Sequence, residues 1–377
     1  MALGALLLAS AYARSLHVSV QPVLIGVDKR AGELKILALL LQRLERERFQ
    51  TRALIALRAE LDTSLGAGAP HITASRRIAR LSLLVSMLEM RRNQIFAVVG
   101  WSSLWTTQLA LAIEQWRREF GPAVARWLSA VGEVEALMSL ATYAFDHPDY
   151  PFPTLAEKGP VFEADAIGHP MLPASKRVPN DVTLGAGDGD RPFPHLLVIS
   201  GSNMSGKSTL LRTVGINAVL ALAGAPVCAQ RLTISRLAIG ASMRLNDSLQ
   251  GGRSRFFAEI TRLRQIVELA ARPTPVLFLL DELLSGTNSH DRRIGAQAVV
   301  RKLLDSGAIG LATTHDLALT EIAVELGDLA DNVHFEDHLN GETIGFDFQM
   351  RPGVVRKSNA LALMRAIGLL VSEPGNT

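Results

Sequence analysis

The sequence predicts an α/β domain with a parallel sheet flanked by helices, preceded by an all-helical domain. Two observations carry this prediction. Aliphatic residues are abundant and aromatic residues make up only 5% of the chain, a balance that favours helices and buried parallel strands over a β-sandwich. Apolar residues recur at helical spacing up to about residue 145, and short apolar runs alternate with helical segments beyond about residue 150.

The N-terminal part is predicted to be helical throughout. Helical periodicity covers the segments 36–61, 78–90, 101–116 and 123–144. We expect breaks at 66–70 and at Gly121-Pro122, because glycine and proline interrupt helices. The proline-rich segment 147–153 also disfavours helix. The domain boundary is placed there, which gives domains 1–150 and 151–377.

The C-terminal part alternates between predicted strands and helices. The apolar runs 196–199, 276–280 and 308–313 are typical of buried parallel strands. Helices are expected at 210–223, 258–271 and 294–304. A hairpin is expected at 339–350, with Asn340-Gly341 at its turn. This pattern predicts an α/β nucleotide-binding domain.

Composition restricts the cellular setting. Cys228 is the only cysteine, which argues against a disulfide framework and a cysteine-based zinc site and fits a reducing compartment. The apolar start, 1–13, lacks a basic leader, so we expect a helix there or the stub of a longer protein. Segment 93–113 is uncharged and long enough to cross a bilayer, but its polar residues favour a buried core helix. We therefore expect a cytoplasmic protein, with contact between segment 93–113 and a membrane as the alternative.

A phosphate-binding loop follows the strand at 196–199. It fits the pattern G-x-x-x-x-G-K-[ST] and runs Gly201-Ser202-Asn203-Met204-Ser205-Gly206-Lys207-Ser208-Thr209. Glycines let consecutive N–H groups point at phosphate oxygens, and the following helix N-terminus adds partial positive charge. We expect Lys207 to reach the β- and γ-phosphates and Ser208 to ligate Mg²⁺. The alternative is an accidental glycine-rich turn, but the strand–loop–helix context favours the P-loop.

Two acidic residues end the strand at 276–280. Burying Asp281 and Glu282 there is costly unless the carboxylates have a task. We expect Asp281 to hold Mg²⁺ through water and Glu282 to act as the general base on the attacking water. An acidic helix cap is the alternative interpretation.

Two further residues are candidates for the same site. His315 follows the next strand and is expected to meet the γ-phosphate or orient the water, although a histidine at a strand end is usually structural. Ser254 lies between the P-loop helix and the acidic strand. By spacing alone, Ser254 is an N-cap of the helix that follows.

Several motifs together resemble the ATPase domain of MutS-type DNA mismatch-repair proteins. The resemblance covers about residues 160–370. It rests on the P-loop, Ser254-x-Phe256-x-x-Glu259, Asp281-Glu282 with the following 283–288, Thr314-His315, Gly168-His169-Pro170, 178–182 and Lys357-Ser358. The transporter-type L-S-G-G-Q motif is absent from the sequence.

The resemblance implies a Mg²⁺-dependent ATPase that works as a homodimer with composite nucleotide sites. Ser254 would then approach the γ-phosphate bound by the partner subunit. Closure of the dimer on ATP would alter the grip of helical core and lever arms on DNA, with other repair proteins as further partners. The basic excess of the N-terminal half permits a DNA partner, although solvated helix faces are the simpler explanation of its basic clusters.

The sequence also departs from the family pattern. Arg177 stands where the family has an aromatic residue that stacks on adenine, so its guanidinium face or Phe348 would take that role. The residues before 30 are too few for a mismatch-reading domain. We therefore expect a divergent or truncated member. Action on branched or recombining DNA, or an ATP-switched assembly module without DNA contact, are the alternative functions.

Overall fold

The computed structural model describes residues 31–62, 72–90, 105–186, 193–202, 204–243, 255–285, 287–340 and 343–355. Its contacts divide the chain into two compact units, Met1–Ser139 and Leu140–Thr377. Several predictions fall wholly or partly outside the described residues. They concern 1–13, the break at 66–70, the first part of 93–113, Asn203, Ser254, Gly341 of the hairpin turn and Lys357-Ser358.

All the regular secondary structure described in the first unit is helical. Its helices are α1 Ala31–Arg46, α2 Arg52–Ala59, α3 Ala74–Glu89 and most of α4 Trp105–Asp146. α1 packs along α3, and the core around them is made by Leu41, Ile78 and Trp127, all almost fully buried. The indole of Trp116 donates to the backbone carbonyl of Arg77 at 3.0 Å, which fastens α4 to α3.

The predicted boundary at Gly121-Pro122 is wrong. α4 runs through it as one helix of 42 residues with Pro122 inside. Proline removes one backbone hydrogen bond from a helix, but Phe120, Ala123 and Trp127 are buried on either side of Pro122. Burial of this apolar face outweighs the local preference. Within the described ranges, no helix combines the length and apolar character that a membrane span requires.

The second unit contains two sheets and four α-helices among its described residues, besides the end of α4. In chain order the elements are β1 Thr154–Ala156, β2 Val161–Ile167, β3 Asn180–Gly185, β4 Leu196–Gly201, α5 Lys207–Leu222, β5 Arg231–Ser235, β6 Ala238–Ser242, α6 Arg255–Ala270, β7 Val276–Leu280, α7 Ser289–Asp305, β8 Ile309–Thr314, α8 Glu321–Leu326, β9 Ala330–Asn340 and β10 Thr343–Pro352.

The larger sheet has the strand order β10-β9-β4-β8-β7-β6. Its neighbours from β9 to β6 are parallel, whereas β10 pairs antiparallel with β9. The two strands of the predicted hairpin therefore pair, and they are longer than expected, with a register shift between Phe346 and Met350. The strands β4, β7 and β8 are buried at every position, as expected for strands covered on both faces.

The smaller sheet corrects the prediction of a single parallel sheet. Its order is β1-β5-β2-β3; β1 and β5 are parallel, and the other pairs are antiparallel. The sequence signal was weak because β1 spans only three residues with exposed or half-buried side chains. It pairs with Thr233–Ser235, far away along the chain, and local periodicity does not report such pairing.

Two apolar clusters cover the faces of the larger sheet. One joins α5 and the smaller sheet to residues such as Ile199 and Leu279. The other joins α6, α7 and α8 to residues such as Phe278 and Leu280. Because β4, β7 and β8 are parallel neighbours, their carboxyl ends meet at one edge, where a ligand site is expected in such folds.

Candidate functional site

The P-loop connects β4 to α5 at this edge. Its backbone has φ values of 146° at Gly201 and 109° at Gly206, in the region that favours glycine. A Cβ atom on Gly201 would lie 2.8 Å from the carbonyl oxygen of Phe335. Glycine is therefore required at both positions for the loop to curl tightly ahead of the first turn of α5.

The ammonium of Lys207 lies inside the loop. Its Nζ donates hydrogen bonds to the carbonyl oxygens of Gly201 at 2.8 Å and Ser202 at 2.7 Å. Only 5% of the residue is exposed. Burial lowers the pKa of Lys207 from its ordinary value, while Glu282 and Asp281 oppose that shift. A desolvated cation at a loop of this shape is the expected partner of an anionic ligand.

Asp281 connects the P-loop to the two strands beside it. Its Oδ1 accepts hydrogen bonds from the hydroxyls of Ser208 at 2.9 Å and Thr313 at 2.8 Å. The Thr313 hydroxyl in turn accepts the backbone N–H of Glu282 at 2.9 Å. The Asp281 N–H donates to the carbonyl of Ser242 at 2.8 Å. Ser208 and Asp281, the two predicted metal ligands, are therefore direct neighbours.

These donors fit Mg²⁺. The adjoining side-chain groups, one carboxylate and two hydroxyls, offer oxygen atoms only. Mg²⁺ prefers oxygen ligands and is commonly held by one or two carboxylates together with water and substrate phosphates. The pair Ser208 and Asp281 would hold the ion at the mouth of the P-loop.

The turn that carries Glu282 has an unusual backbone. Glu282 and Leu284 have φ values of 53° and 54°, which few residues other than glycine adopt. The N–H of Ser285 donates to the carbonyl of Glu282 at 3.2 Å, and the N–H of Leu284 donates to the buried carboxylate of Glu259 at 2.6 Å. Such strain persists only where surrounding groups enforce it, and it often marks functional sites.

Of the other two predicted catalytic residues, the structure describes His315 but not Ser254. His315 directly follows β8 at the same edge as Asp281, and its side chain is exposed. Ser254 lies outside the described residues, one position before α6 begins at Arg255. Their roles toward a γ-phosphate stay predictions.

A cavity of about 260 Å³ adjoins the P-loop. Its lining comes from the P-loop and α5, the smaller sheet and the hairpin, and includes His169, Leu172, Arg177, Val178, Gly206, Thr209 and Phe348. Burial and the nearby cations Arg212 and Arg177 lower the pKa of His169, which therefore favours its neutral form. The lining is largely apolar with a few polar groups, as is typical of small-molecule sites.

Both predicted stacking residues, Arg177 and Phe348, line this cavity, but they make different contacts. The Nη2 of Arg177 donates to the carbonyl of Leu172 at 2.7 Å, and its guanidinium lies 5.7 Å from the ring centroid of Tyr150. Phe348 is held by Asn180, which donates to the Phe348 carbonyl at 3.0 Å and accepts the Met350 N–H at 2.6 Å. The Phe348 ring also approaches the P-loop at Gly206.

Sequence reasoning did not assign three residues that support the site. Thr313 links Asp281 to the Glu282 backbone. Glu259 and Arg292 bind the turn after β7. Glu259 was part of the resemblance without a role, and Thr313 was noted only as part of its strand end. No local pattern identified Arg292, because its partners become neighbours only in the folded chain.

Known proteins similar to this chain include three repair proteins. The chain is 35% identical over 248 residues to DNA mismatch repair protein MutS of Natronomonas pharaonis, covering 64% of this chain and 27% of that protein. It is 38% identical over 260 residues to DNA mismatch repair protein MutS 2 of Halobacterium salinarum, covering 67% and 28%. It is 32% identical over 247 residues to DNA mismatch repair protein MSH3 of Phaeosphaeria nodorum, covering 63% and 21%.

The family model of MutS domain V matches residues 197–372. The α/β part of this chain is therefore similar to domain V of MutS proteins. The matched residues begin in β4 and include the P-loop, the turn after β7 and the end of β8. The MutS resemblance drawn from the motifs is thereby confirmed. The chain spans between 21% and 28% of the length of these three relatives.

Proposed function

We propose that this chain is a Mg²⁺-dependent ATPase of the MutS type whose nucleotide cycle changes its grip on DNA. The observation that carries the proposal is the contact between Ser208 and Asp281 beside the buried Lys207. This contact joins the P-loop to the acidic strand end, as phosphoryl-transfer sites of P-loop proteins require.

Each side chain has a distinct task in hydrolysis. The P-loop N–H groups and Lys207 bind the phosphates and stabilise negative charge. Glu282 accepts a proton from the attacking water while the oxygen of that water bonds to the γ-phosphorus. The bond from the γ-phosphorus to the bridging oxygen breaks, and that oxygen leaves with the electron pair on ADP. Ser208 and Asp281 would hold Mg²⁺, which would neutralise part of the phosphate charge.

The cavity beside the P-loop is the proposed base subsite. Phe348 offers a ring next to Gly206, so a base whose phosphates occupy the loop would reach it. Arg177 is hydrogen-bonded to Leu172 and lies over Tyr150, so we assign stacking to Phe348 and polar contact to Arg177.

The composite dimer site is proposed from the family resemblance. Ser254 would complete the site of a partner subunit. We expect Ser254→Ala and Lys207→Ala chains to be inactive separately and to regain one complete site per heterodimer when mixed. Phosphate release from the mixture is the measurement. A mixture that forms heterodimers but stays inactive would contradict the composite site.

The DNA partner is supported by the relatives, whose names describe DNA mismatch repair. The basic excess of the N-terminal half fits a phosphate backbone. Mismatch recognition, branched DNA and an assembly role without DNA therefore have to be separated by experiment.

A salt series of DNA binding tests this part of the proposal. We expect the dissociation constant to rise about 10³-fold or more from about 50 to 200 mM salt if about six phosphates are contacted, because binding releases counterions. A non-hydrolysable ATP analogue should shift the whole series. Comparing homoduplex, mismatched and branched DNA identifies the substrate. No binding to any of the three would contradict a DNA-binding function and favour the assembly module.

A further inference from the structure

Arg292 lies on α7, and all three nitrogens of its guanidinium are engaged. Nε donates to the carbonyl of Leu284 at 3.1 Å, and Nη2 donates to the carbonyls of Ser285 and Thr287 at 3.1 Å each. Nη1 lies 3.6 Å from Oδ2 of Asp316. Only 13% of the Arg292 side chain is exposed. One largely buried cation therefore contacts three carbonyls of the turn after β7 and one carboxylate after β8.

The two segments that Arg292 joins both carry proposed catalytic groups. The turn after β7 begins at Asp281 and contains Glu282 in its left-handed conformation. Asp316 directly follows His315, and its Oδ1 accepts the N–H of Ala318 at 3.0 Å, which fixes the Asp316 carboxylate on its own segment. The Arg292 side chain therefore links the position of the turn after β7 to the position of the segment after β8.

Glu259 holds the same turn from another side. Its carboxylate accepts the N–H of Leu284 at 2.6 Å, while Arg292 binds the Leu284 carbonyl. The peptide units on both sides of Leu284, a residue in the left-handed conformation, are therefore hydrogen-bonded to oppositely charged side chains from α6 and α7. Backbone in this region is retained only where its surroundings hold it.

We propose that Arg292 is a positioning residue that sets Glu282 and His315 relative to each other for ATP hydrolysis. The inference rests on the proposed ATPase function. The planar guanidinium offers five donors in fixed directions, so it can bind three carbonyls and a carboxylate simultaneously. Lysine has a single ammonium on a flexible stem and would keep the charge without this geometry.

The test compares Arg292→Ala and Arg292→Lys in the full chain. We expect kcat to fall about 100-fold in both, because small displacements of a catalytic group have effects of this size. The dissociation constant of a non-hydrolysable ATP analogue should stay within about threefold, since no P-loop residue is altered. Guanidinium ion at millimolar concentration should restore much of kcat to Arg292→Ala but not to Arg292→Lys, and methylammonium should restore neither.

The matched control is Arg293→Ala. Arg293 is the next residue on α7 and pairs with Glu321 at 3.1 Å on the surface, so its loss should leave kcat unchanged. A double-mutant cycle with Asp316→Asn should show coupling between Arg292 and Asp316 in kcat. The melting temperature of each variant separates loss of folding from loss of chemistry.

Three outcomes would overturn the inference. The first is an Arg292→Ala chain that hydrolyses ATP at nearly the wild-type rate. The second is a loss of kcat that guanidinium does not rescue in a chain with wild-type melting temperature. The third is a parallel loss of nucleotide binding. A wild-type chain without ATPase activity would instead contradict the proposed function itself, and this inference with it.

Discussion

Replacement of Glu282 by alanine is expected to lower kcat for ATP hydrolysis about 10²–10⁴-fold, the range typical of general-base catalysis. ATP binding should persist, because Lys207 and the P-loop remain and the Asp281–Ser208 contact does not involve the Glu282 side chain. Single-turnover phosphate release and equilibrium binding of a fluorescent ATP analogue measure the two properties separately.

Two further variants sharpen the Glu282 result. Glu282→Gln keeps the size of the side chain and removes its basicity, so its kcat should be as low as that of Glu282→Ala. Glu268→Ala removes an exposed carboxylate of α6 that pairs with Arg264, and it should behave as wild type. Near-normal turnover in Glu282→Ala would remove Glu282 from the role of general base.

Replacement of Lys207 by alanine is expected to weaken ATP binding at least about 100-fold, since each hydrogen bond to a charged group is worth about 1.5–3 kcal/mol. The exposed Lys302 on α7 provides the control, because Lys302→Ala removes a cation far from the P-loop in sequence. Equilibrium binding of labelled ATP is the measurement. Unchanged affinity in Lys207→Ala would contradict the phosphate-binding role of the loop.

Phe348→Ala can be compared with Lys207→Ala in the same ATP-binding measurement. It removes the ring from the base cavity and leaves Lys207 in place, so ATP binding should weaken by about tenfold, less than in Lys207→Ala. Binding of inorganic triphosphate, which has no base, should not change. A loss of triphosphate binding would place Phe348 at the P-loop itself.

The sequence was most informative where local patterns coincide with tertiary structure. The strands β4, β7 and β8 are continuous apolar runs that end in the P-loop or in polar residues, and their parallel pairing brings Ser208 next to Asp281. Local pattern was misleading at Pro122, where burial of the α4 face overrides helix propensity. It gave no signal for β1, whose partner is distant in the chain.

The candidate site shows the same division. Lys207, Asp281 and Glu282 belong to contiguous motifs, so their types and spacing were sufficient to nominate them. The support from Glu259 and Arg292 arises from α6 and α7 packing against the turn after β7. Sequence spacing does not encode which carbonyls an arginine reaches after folding, so these contacts required the structure.

Steady-state release of inorganic phosphate from ATP by the wild-type chain, with Mg²⁺ and with EDTA, tests the central claim most directly. Lys207→Ala is assayed beside it as the matched blank. We predict turnover that requires both Mg²⁺ and Lys207, because Ser208 and Asp281 are placed to hold the ion and Lys207 to bind the phosphates. Equal phosphate release with EDTA, or from Lys207→Ala, would contradict the assignment of this P-loop as the ATPase site.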